Sequence, residues 1–406
     1  MDSLYSKLLD ERVWTNYLDK IKGKCSLKEF EDTSRFIENK LYLPYIDKIK
    51  NGVSFSNPQK AAIGKQGTSK KRIVFKFPFE EVIVLKVVSD LLMDYVDNRF
   101  ADNTFAFRKN HTPRKALLSL INHKEINEMY SCKTDFHNYF NSIDIDILLP
   151  VLKDWLKDEQ IIYRFIENIL RNDKVVVNGE IVSDTNKGAM AGVPLAGILA
   201  NIYSNELDWY FKNLNIPYAR YSDDIILFCN TQKEIEDNKK IIIDFANSHH
   251  LTMNEEKDCF SKPYEPWNYV GFKYENGKIS ASEDSIHKLF MKIRRLRRRV
   301  MRQIKENNWT KDEATAYFIK RVMIKIYRTG FEDNFSWAKW FLPVITTTDN
   351  LVPIDRYIED CARYIYYGKH NKGRYELSYD RICEFGYKPI VASYYKWLEN
   401  KDVTRL

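Results

Sequence analysis

Two adjacent aspartates at a tight turn constrain this chain more than any other feature. Asp223 and Asp224 lie inside the otherwise apolar segment Tyr218–Phe228, and this pattern predicts a β-hairpin with both carboxylates at its turn. Like charges this close repel one another, and burial beside apolar strands increases the penalty. A divalent cation would neutralise both carboxylates. The sequence therefore predicts one half of a metal site at this turn.

Composition indicates a large protein with a mildly basic surface. The chain has 406 residues, of which 44% are hydrophobic and 30% are charged, so it can bury a core large enough for two or more subdomains. The net charge of +8 fits a polyanionic partner without proving one.

The cysteines and the apolar segments exclude several other classes of protein. None of the six cysteines forms a Cys-x-x-Cys pair or has the spacing of zinc ligands. The chain begins with charged residues, unlike a signal peptide, and no apolar run reaches the roughly 18 residues of a membrane span. We therefore expect a cytoplasmic, disulfide-free protein with no membrane partner.

Hydrophobic periodicity predicts a helical start, a mixed centre and a helical end. The centre, over 130–280, alternates β segments with helices, which is typical of an α+β layer with helices on one face of a sheet. The elements expected are helices in the first sixty residues, a basic loop over 62–73, a strand over 73–79, helices over 80–99, 144–171, 192–211 and 233–250, an Asn-Gly hairpin over 175–182, two short strands near 269–280 and helices from 283 onward.

A third aspartate completes the predicted site. Asp135 ends an apolar strand within the segment 133–143, and this strand can lie beside the hairpin that carries Asp223 and Asp224. Three converging carboxylates favour Mg²⁺, a hard cation that prefers oxygen ligands. Two such ions can activate an attacking 3′-oxygen and stabilise a leaving pyrophosphate.

The order of motifs over about 70–275 resembles bacterial reverse transcriptases of the group II intron and retron type. Tyr221–Asp224 resembles the Tyr-x-Asp-Asp turn of that family, and Asp135–Ile143 resembles its first catalytic motif. The other matching segments are Lys71–Ile73 (the basic fingers strand), Phe105–Lys109 (with Ala106 in place of the usual Gly), Leu251–Lys257 (Leu-Asn-x-x-Lys) and Tyr269–Phe272 (the primer-grip hairpin).

This resemblance implies the α+β fold of a right-hand polymerase, with fingers, a palm made of an antiparallel sheet backed by helices, a helical thumb and a small helical C-terminal region. The corresponding boundaries are 1–60 for an N-terminal helical extension, 61–134 for the fingers, 135–280 for the palm with interleaved finger segments, 281–345 for the thumb and 346–406 for the C-terminal region.

One motif departs from the family pattern. Where the family usually has Gly-x-Pro-Gln-Gly, this chain has Gly188–Gly192 with Met190 in place of Pro and Ala191 in place of Gln. The family's segment packs near the templating base, so the resemblance implies altered template handling here. The metal chemistry is not affected by this departure.

The resemblance also assigns residues to the incoming nucleotide. Lys71, Arg72 and Arg108 would neutralise the triphosphate. Phe140 would lie beneath the sugar and exclude a 2′-hydroxyl, which selects dNTPs over rNTPs. Lys257 would act as a general acid toward pyrophosphate.

A basic helix is expected to hold the template and primer. The segment 285–305 has nine cations and no acid, while its apolar residues keep helical spacing, so one side faces a core and the other faces phosphates. The residues predicted to contact template and primer, including three outside this helix, are Gly192, Tyr269, Gly271, Lys292, Arg295, Arg298, Arg299 and Arg302.

These features predict an RNA-directed DNA polymerase that uses two Mg²⁺ ions, dNTPs and an RNA template to make cDNA. The segments 336–345, 354–355, 368–370 and 386–387 resemble the C-terminal region of defence-associated reverse transcriptases, which implies antiphage defence with a nearby-encoded non-coding RNA as template. Two alternatives remain open. One is an untemplated or protein-primed DNA polymerase on the same fold, and the other is a non-catalytic, maturase-like RNA-binding protein. The oligomeric state is not indicated.

Overall fold

A computed structural model describes residues 3–64, 71–327, 336–369 and 376–403. The middle of the predicted basic loop, 65–70, and His370 of the C-terminal motif lie outside these residues. The chain forms two compact units, one made of residues 1–22 and 27–270 and the other of residues 23–26 and 271–406.

Helices of the first unit surround its sheets on several sides. The N-terminal helices α1–α4 pack against α5 and α9, and Trp14 stacks on Tyr42 with 4.0 Å between ring centroids. The helices are α1 (Leu4–Leu9), α2 (Glu11–Ile21), α3 (Leu27–Glu38), α4 (Leu43–Lys50), α5 (Phe79–Val96), α6 (Pro113–Ile121), α7 (Tyr139–Ser142), α8 (Ile145–Trp155), α9 (Gln160–Arg171), α10 (Ala196–Tyr203), α11 (Asn205–Asn213) and α12 (Gln232–Ser248).

The central sheet of the first unit carries the predicted aspartates. Its four strands, in the order β6-β7-β3-β8, are β3 (Tyr130–Asp135), β6 (Tyr218–Tyr221), β7 (Asp224–Cys229) and β8 (Cys259–Ser261). All neighbouring pairs are antiparallel. The middle strands β3 and β7 are buried on both faces, since Cys132, Ile225, Ile226 and Leu227 all have zero exposure. The helix α12 packs against these two strands.

A second sheet, in the order β2-β1-β4-β5, consists of β1 (Gln59–Gly64), β2 (Lys71–Lys76), β4 (Lys174–Val177) and β5 (Glu180–Ser183). The Asn-Gly hairpin is confirmed, since Asn178 and Gly179 both have positive φ as a two-residue turn requires. The prediction of a loop over 62–73 is wrong at both ends, because Ala62 to Gly64 pair with Lys71 to Ile73 as strands.

The helix predicted over 192–211 forms as two helices, α10 and α11, that meet at Ser204. The buried Ser204 hydroxyl lies 2.5 Å from the Tyr139 hydroxyl, which also donates a hydrogen bond to the Ala200 carbonyl. Ser204 leaves the helical conformation at this point, with φ −102° and ψ 10°. The Ser204 side chain thus has its hydrogen-bond partner in Tyr139, outside both helices' backbone.

The second unit is mostly helical, as the sequence predicts. It begins with the antiparallel hairpin β10 (Phe272–Glu275) and β11 (Lys278–Ala281), which follows β9 (Trp267–Tyr269) of the first unit. Its helices are α13 (Glu283–Glu306), α14 (Lys311–Tyr327), α15 (Trp337–Phe341), α16 (Val352–Tyr367), α17 (Tyr379–Glu384) and α18 (Ile390–Val403). The helices α13, α14 and α16 pack against one another around an apolar core.

Two expectations about the whole chain can be compared with this structure. The six cysteines all lie within the described residues, and they form no disulfide with one another. Among the described residues, no helix is both long enough and apolar enough to cross a membrane.

Candidate active site

The sheet register brings the three predicted aspartates together. Asp135 is the last residue of β3 and lies directly opposite Asp224, the first residue of β7. Directly paired residues on antiparallel strands have Cβ atoms about 4.5–5.5 Å apart. Asp223 follows in the turn, and its carbonyl accepts a hydrogen bond of 3.3 Å from the Phe136 amide. The three carboxylates therefore share one end of the sheet.

The turn that presents Asp223 and Asp224 is tight and strained. Tyr221 pairs with Asp224, so only Ser222 and Asp223 connect β6 to β7. Ser222 has a φ of +63°, a conformation that usually requires glycine in such a turn. Strain of this kind persists only where the surrounding structure holds it in place, and a buried network beneath the turn does so here.

That network is centred on a fully buried ion pair between Arg220 and Asp208. The Arg220 guanidinium donates to both carboxylate oxygens of Asp208, at 2.8 Å from Nε and 2.5 Å from Nη2, and both side chains have zero exposure. Its Nη1 donates to the Ser222 carbonyl at 3.0 Å. Because Asp208 lies on α11, this pair ties the strained turn to the helix that packs against β6.

Each carboxylate oxygen of Asp208 also accepts a second hydrogen bond. The Tyr218 hydroxyl donates to Oδ1 at 2.9 Å and the Thr104 hydroxyl donates to Oδ2 at 2.6 Å. Asn201 accepts from Arg220 and donates to the Ala106 carbonyl. Sequence analysis did not identify Arg220. An arginine in the middle of an apolar strand was the available signal, because a buried cation needs a buried acid.

The electrostatics of the site favour a cation. Asp135 is 2% exposed, and its Oδ1 has no hydrogen-bond partner among the described residues. Its Oδ2 pairs with the Lys257 ammonium, while Asp224 pairs with Lys133 at 3.5 Å. Burial raises the pKa of Asp223, and the Asp224 and Asp135 charges raise it further, although Lys257 lowers it.

The donor set fits a divalent ion in its chemistry, although not in its present side-chain arrangement. Across the described ranges, no group of three His, Cys, Asp or Glu side chains is arranged to hold a metal. Two of the three carboxylates are instead oriented by Lys257 and Lys133. A buried carboxylate oxygen without a hydrogen-bond donor, next to two further acids, is the environment that an oxygen-preferring cation satisfies.

Asn141 joins three segments next to the aspartates. Its Nδ2 donates to the Ile73 carbonyl on β2 at 3.1 Å, and its Oδ1 accepts from the Ala191 amide at 2.8 Å. Ala191 in turn accepts from the Phe75 amide at 2.8 Å. The residue thus clamps the segment after Asp135 to β2 and to the Gly188–Gly192 motif. Sequence analysis missed this role.

The glycines of the Gly188–Gly192 motif permit this close packing. A Cβ on Gly188 would lie 2.5 Å from the Phe140 carbonyl oxygen, and φ there is +51°. A Cβ on Gly192 would lie 3.1 Å from the Phe75 carbonyl oxygen. The side chains of Met190 and Ala191, where this motif departs from the family pattern, are both buried.

The predicted nucleotide-binding residues occupy different environments. Phe140 is half-buried, and its ring meets Phe107 edge-on at 5.8 Å. Lys71 and Arg72 are exposed at the start of β2, and Lys257 is in direct contact with Asp135. The structure therefore brings Lys257 to the aspartates, while Lys71 and Arg72 extend from a strand that Asn141 holds nearby.

Two predicted contact residues have structural partners that argue against their predicted roles. The Arg108 guanidinium is largely buried and bonds to the Asp97 carboxylate and to the carbonyls of Asp97, Ala101 and Thr104. Tyr269 has zero exposure, and its hydroxyl donates to the Ala219 carbonyl at 3.0 Å. Both side chains form their hydrogen bonds with other groups of the protein, so in this structure neither is available to contact a triphosphate or a primer.

The other predicted template–primer residues lie at accessible positions. Gly192 is exposed, and Gly271 lies at a φ of +90° where its carbonyl accepts from the Ser285 hydroxyl. Along α13, Lys292 is half-buried, whereas Arg295, Arg298, Arg299 and Arg302 are exposed. The helix buries Leu289, Ile293, Leu296 and Val300, which confirms its predicted apolar face.

Comparison with known proteins identifies the class to which this fold and site belong. The sequence profile of the family described as reverse transcriptase (RNA-dependent DNA polymerase) matches residues 63–274, which is just over half of the chain. This chain belongs to the reverse transcriptase family. The α+β architecture, with the aspartates at the end of an antiparallel sheet, is that of the right-hand polymerases, and the predicted fold class is confirmed.

Individual relatives are distant. Over 106 residues the chain is 24% identical to the retron Ec86 reverse transcriptase of Escherichia coli, a match that covers 25% of this chain and a third (33%) of the relative's length. Together with the family match, it confirms the predicted resemblance to bacterial retron-type reverse transcriptases. Among solved structures, apo telomerase from Candida tropicalis, truncated from its C-terminal domain, aligns at 14% identity with a TM-score of 0.43, covering 61% of this chain and 60% of that one.

Proposed function

We propose that this protein is an RNA-directed DNA polymerase that makes cDNA from dNTPs on an RNA template. The observation that carries the proposal is the pairing of Asp135 with Asp224 next to Asp223, at one buried end of the central sheet. Membership of the reverse transcriptase family supports the same activity.

The three aspartates are the residues we assign to two Mg²⁺ ions. The buried, unpartnered Oδ1 of Asp135 and the raised pKa of Asp223 support this assignment, since burial and the neighbouring carboxylates both penalise the anion without a cation. Bound Mg²⁺ supplies charge stabilisation for the attacking 3′-oxygen and the leaving pyrophosphate. The network of Arg220 and Asp208 holds the backbone of the turn that carries Asp223 and Asp224.

Other residues are assigned to the nucleotide. Lys257 holds the Asp135 carboxylate in this structure, and we assign it proton donation toward pyrophosphate once that carboxylate has another partner. Phe140 is assigned to exclusion of the 2′-hydroxyl, and its partial exposure supports this assignment. The exposed Lys71 and Arg72 are assigned to the triphosphate, where Arg can bind two oxygens at once.

The basic face of α13 is assigned to the template and primer backbone. Its exposed cations lie opposite the buried Leu289, Ile293, Leu296 and Val300, so they project away from the core of their unit. Contacts of this kind are independent of base sequence and sensitive to salt. We keep the domain names fingers, palm and thumb, with the boundaries given above, as part of the proposal.

The biological use that we propose is antiphage defence in the bacterial cytoplasm, with a nearby-encoded non-coding RNA as template. This part depends on the C-terminal motifs and on the resemblance to stand-alone defence enzymes. The relative from E. coli is named as a retron reverse transcriptase, which supports a bacterial setting.

The experiment that tests the activity replaces one aspartate. Asp223→Asn should reduce dNTP incorporation on an RNA template by about 10³-fold or more, since about 4 kcal/mol of transition-state stabilisation is lost. Asp237→Asn, an exposed position on α12, is the matched control and should retain full activity. Near-normal incorporation by Asp223→Asn, with RNA binding intact in both variants, would refute the assignment.

The altered Gly188–Gly192 motif favours a second candidate, untemplated or protein-primed DNA synthesis on the same fold. Incubation with single dNTPs, with and without RNA, separates the two. A product made of one repeated base in the absence of a complementary template supports the second candidate. Incorporation only of the complementary dNTP supports the first.

A further inference from the structure

The second unit contains a large groove that the polymerase mechanism does not use. Its volume is about 980 Å³, and it lies between α14, α15 and α18, with the segment 385–388 at its border. All of its lining residues belong to the second unit.

One wall of the groove is a continuous stripe along α14. The lining positions recur at spacings of three and four residues, so they form one face of the helix about three turns long, or roughly 17 Å. They are Ala316, Tyr317, Lys320, Met323, Ile324 and Tyr327. The facing wall comes from Ala338, Lys339, Leu342 and Pro343 around α15 and from Ser393, Lys396 and Trp397 on α18.

The groove combines an apolar floor with a cationic rim. Met323, Ile324, Leu342 and Pro343 contribute aliphatic surface. Four exposed lysines lie around it, and they are Lys320, Lys339, Lys388 and Lys396. Over the described residues, no Asp or Glu lines the groove. Its occupant must therefore offer apolar surface to the floor and negative charge to the rim.

Two hydroxyl groups of the groove, those of Tyr327 and Ser393, already have hydrogen-bond partners within the protein. The Tyr327 hydroxyl lies 2.7 Å from the Ser393 hydroxyl, which itself donates to the Pro389 carbonyl at 2.9 Å. Tyr317 packs on Trp309 with 4.8 Å between ring centroids. Nucleic acid bases carry polar edges that would lose water over the floor of Met323, Ile324, Leu342 and Pro343 without gaining partners there. An α-helix satisfies its own backbone groups and can present a purely apolar face.

We propose that this groove binds an amphipathic helix of a partner protein, with its apolar stripe on the floor and flanking carboxylates at the lysine rim. The fit is of the helix-in-groove type, in which apolar anchors recur at i, i+3, i+4 and i+7. The proposal is independent of the polymerase activity, because none of its residues is assigned to the active site.

This proposal can be tested by measuring how three probes of similar length bind to the full-length protein. The first is a stapled helical peptide of about 16 residues with a Leu stripe flanked by Glu, since an unstapled helix of that length is only marginally stable. The second has the same Leu stripe flanked by Lys, and the third is a single-stranded RNA. Fluorescence anisotropy measures the affinity of each probe for the wild type, for Lys320→Glu/Lys396→Glu and for Arg321→Glu.

The acidic peptide should bind the wild type at least about tenfold more tightly than the basic peptide does. The Lys320→Glu/Lys396→Glu variant should lose at least about tenfold in affinity for the acidic peptide, whereas Arg321→Glu should change it by less than about twofold. Arg321 is an exposed cation on the same helix that does not line the groove, so its reversal is the matched control.

Photocrosslinks from the Leu stripe should map to α14, α15 and α18. Equal affinity for both peptides, crosslinks elsewhere, or equal losses in both charge variants would overturn the proposal. A Lys320→Glu/Lys396→Glu variant that loses RNA affinity while its peptide affinity is unchanged would assign the groove to nucleic acid instead. Circular dichroism of each variant verifies folding.

Discussion

Lys187 shows how a single buried charge can be held without an ion pair. The residue is 2% exposed, and its ammonium donates to the Ile169 carbonyl at 3.0 Å and lies 3.6 Å from the Met190 sulfur. Burial lowers its pKa to about 8, although the nearby Asp184 and Asp173 act in the opposite direction. Lys187 therefore contacts the Gly188–Gly192 motif, which differs from the family pattern, and the burial of its charge reduces the stability of the folded state.

That cost predicts a pH-dependent stability. Between about pH 8 and 10.5 the unfolded chain keeps a proton on Lys187 that the folded chain has lost, so the free energy of unfolding rises with pH across this window. Below pH 8 both states are protonated and the cost is present in full. Relative to Lys187→Met, the wild type should gain up to about 3 kcal/mol between these limits, from 1.36 kcal/mol for each pKa unit.

Urea denaturation of both proteins at several pH values measures this difference. In the difference between the two free energies of unfolding, the contributions of all other titrating groups cancel. Parallel stability curves for the two proteins from pH 7 to above pH 10 would show that Lys187 ionises in the folded state as it does in the unfolded chain.

For individual residues, the sequence predicted which charged side chains matter but not which groups they bond to. Asp135, Asp223 and Asp224 were identifiable because carboxylates at the ends of apolar strands are conspicuous. Arg108 and Tyr269 were assigned to ligands, yet the Arg108 guanidinium bonds to Asp97 eleven residues before it and the Tyr269 hydroxyl bonds to the distant Ala219 carbonyl. Asn141 was missed because its two bonds reach residues 68 and 50 positions away. No local pattern encodes such contacts.

At the scale of elements, the β6–β7 hairpin depends on the buried ion pair between Arg220 on β6 and Asp208 on α11. The alternation of the sequence predicts the hairpin, and its two-residue turn follows from the register. The strained Ser222 is stable because Arg220 on β6 binds its carbonyl and the carboxylate of Asp208 on α11. The break at Ser204 between α10 and α11 was not predictable, since it depends on the distant Tyr139 hydroxyl.

Removal of Arg220 should be among the most damaging single changes in the first unit. Arg220→Met leaves Asp208 as a buried charge without a counter-charge, and we expect a loss of about 3–5 kcal/mol in the free energy of unfolding. Arg12→Met is the matched control, because Arg12 pairs with Asp10 at the surface, where water screens the charges and such a pair contributes little to stability. Similar losses for both variants in chemical denaturation would contradict this account of the hairpin.

For the whole molecule, the net charge of +8 includes one strongly basic segment. Acids and bases alternate over most of the chain, whereas 285–305 contains nine cations and no acid, and α13 exposes most of them. The pattern of this helix was fully predictable, because an apolar stripe and a basic face are both local properties. The division into two compact units at 270/271 depends on contacts that no local window of the sequence contains, so no local pattern places it.

Charge reversal on α13 should change the salt dependence of RNA binding. Arg298→Glu/Arg299→Glu removes two exposed cations that we assign to phosphates. The slope of log affinity against log salt should become shallower by about 1.4 for a single strand, and the loss in affinity should be largest at low salt. Filter binding between about 50 and 200 mM salt measures this slope. An unchanged slope with uniformly weaker binding would indicate a disturbed fold.

The account as a whole depends on the aspartates acting together as cation ligands. Crystals of the protein soaked in Mn²⁺, which substitutes for Mg²⁺ at oxygen ligands, allow the ions to be located by anomalous scattering. We predict anomalous peaks between the carboxylates of Asp135, Asp223 and Asp224, with the Asp135 carboxylate turned away from Lys257. Absence of density there at Mn²⁺ concentrations that support nucleotide incorporation, or Mn²⁺ bound only elsewhere, would contradict the proposed active site.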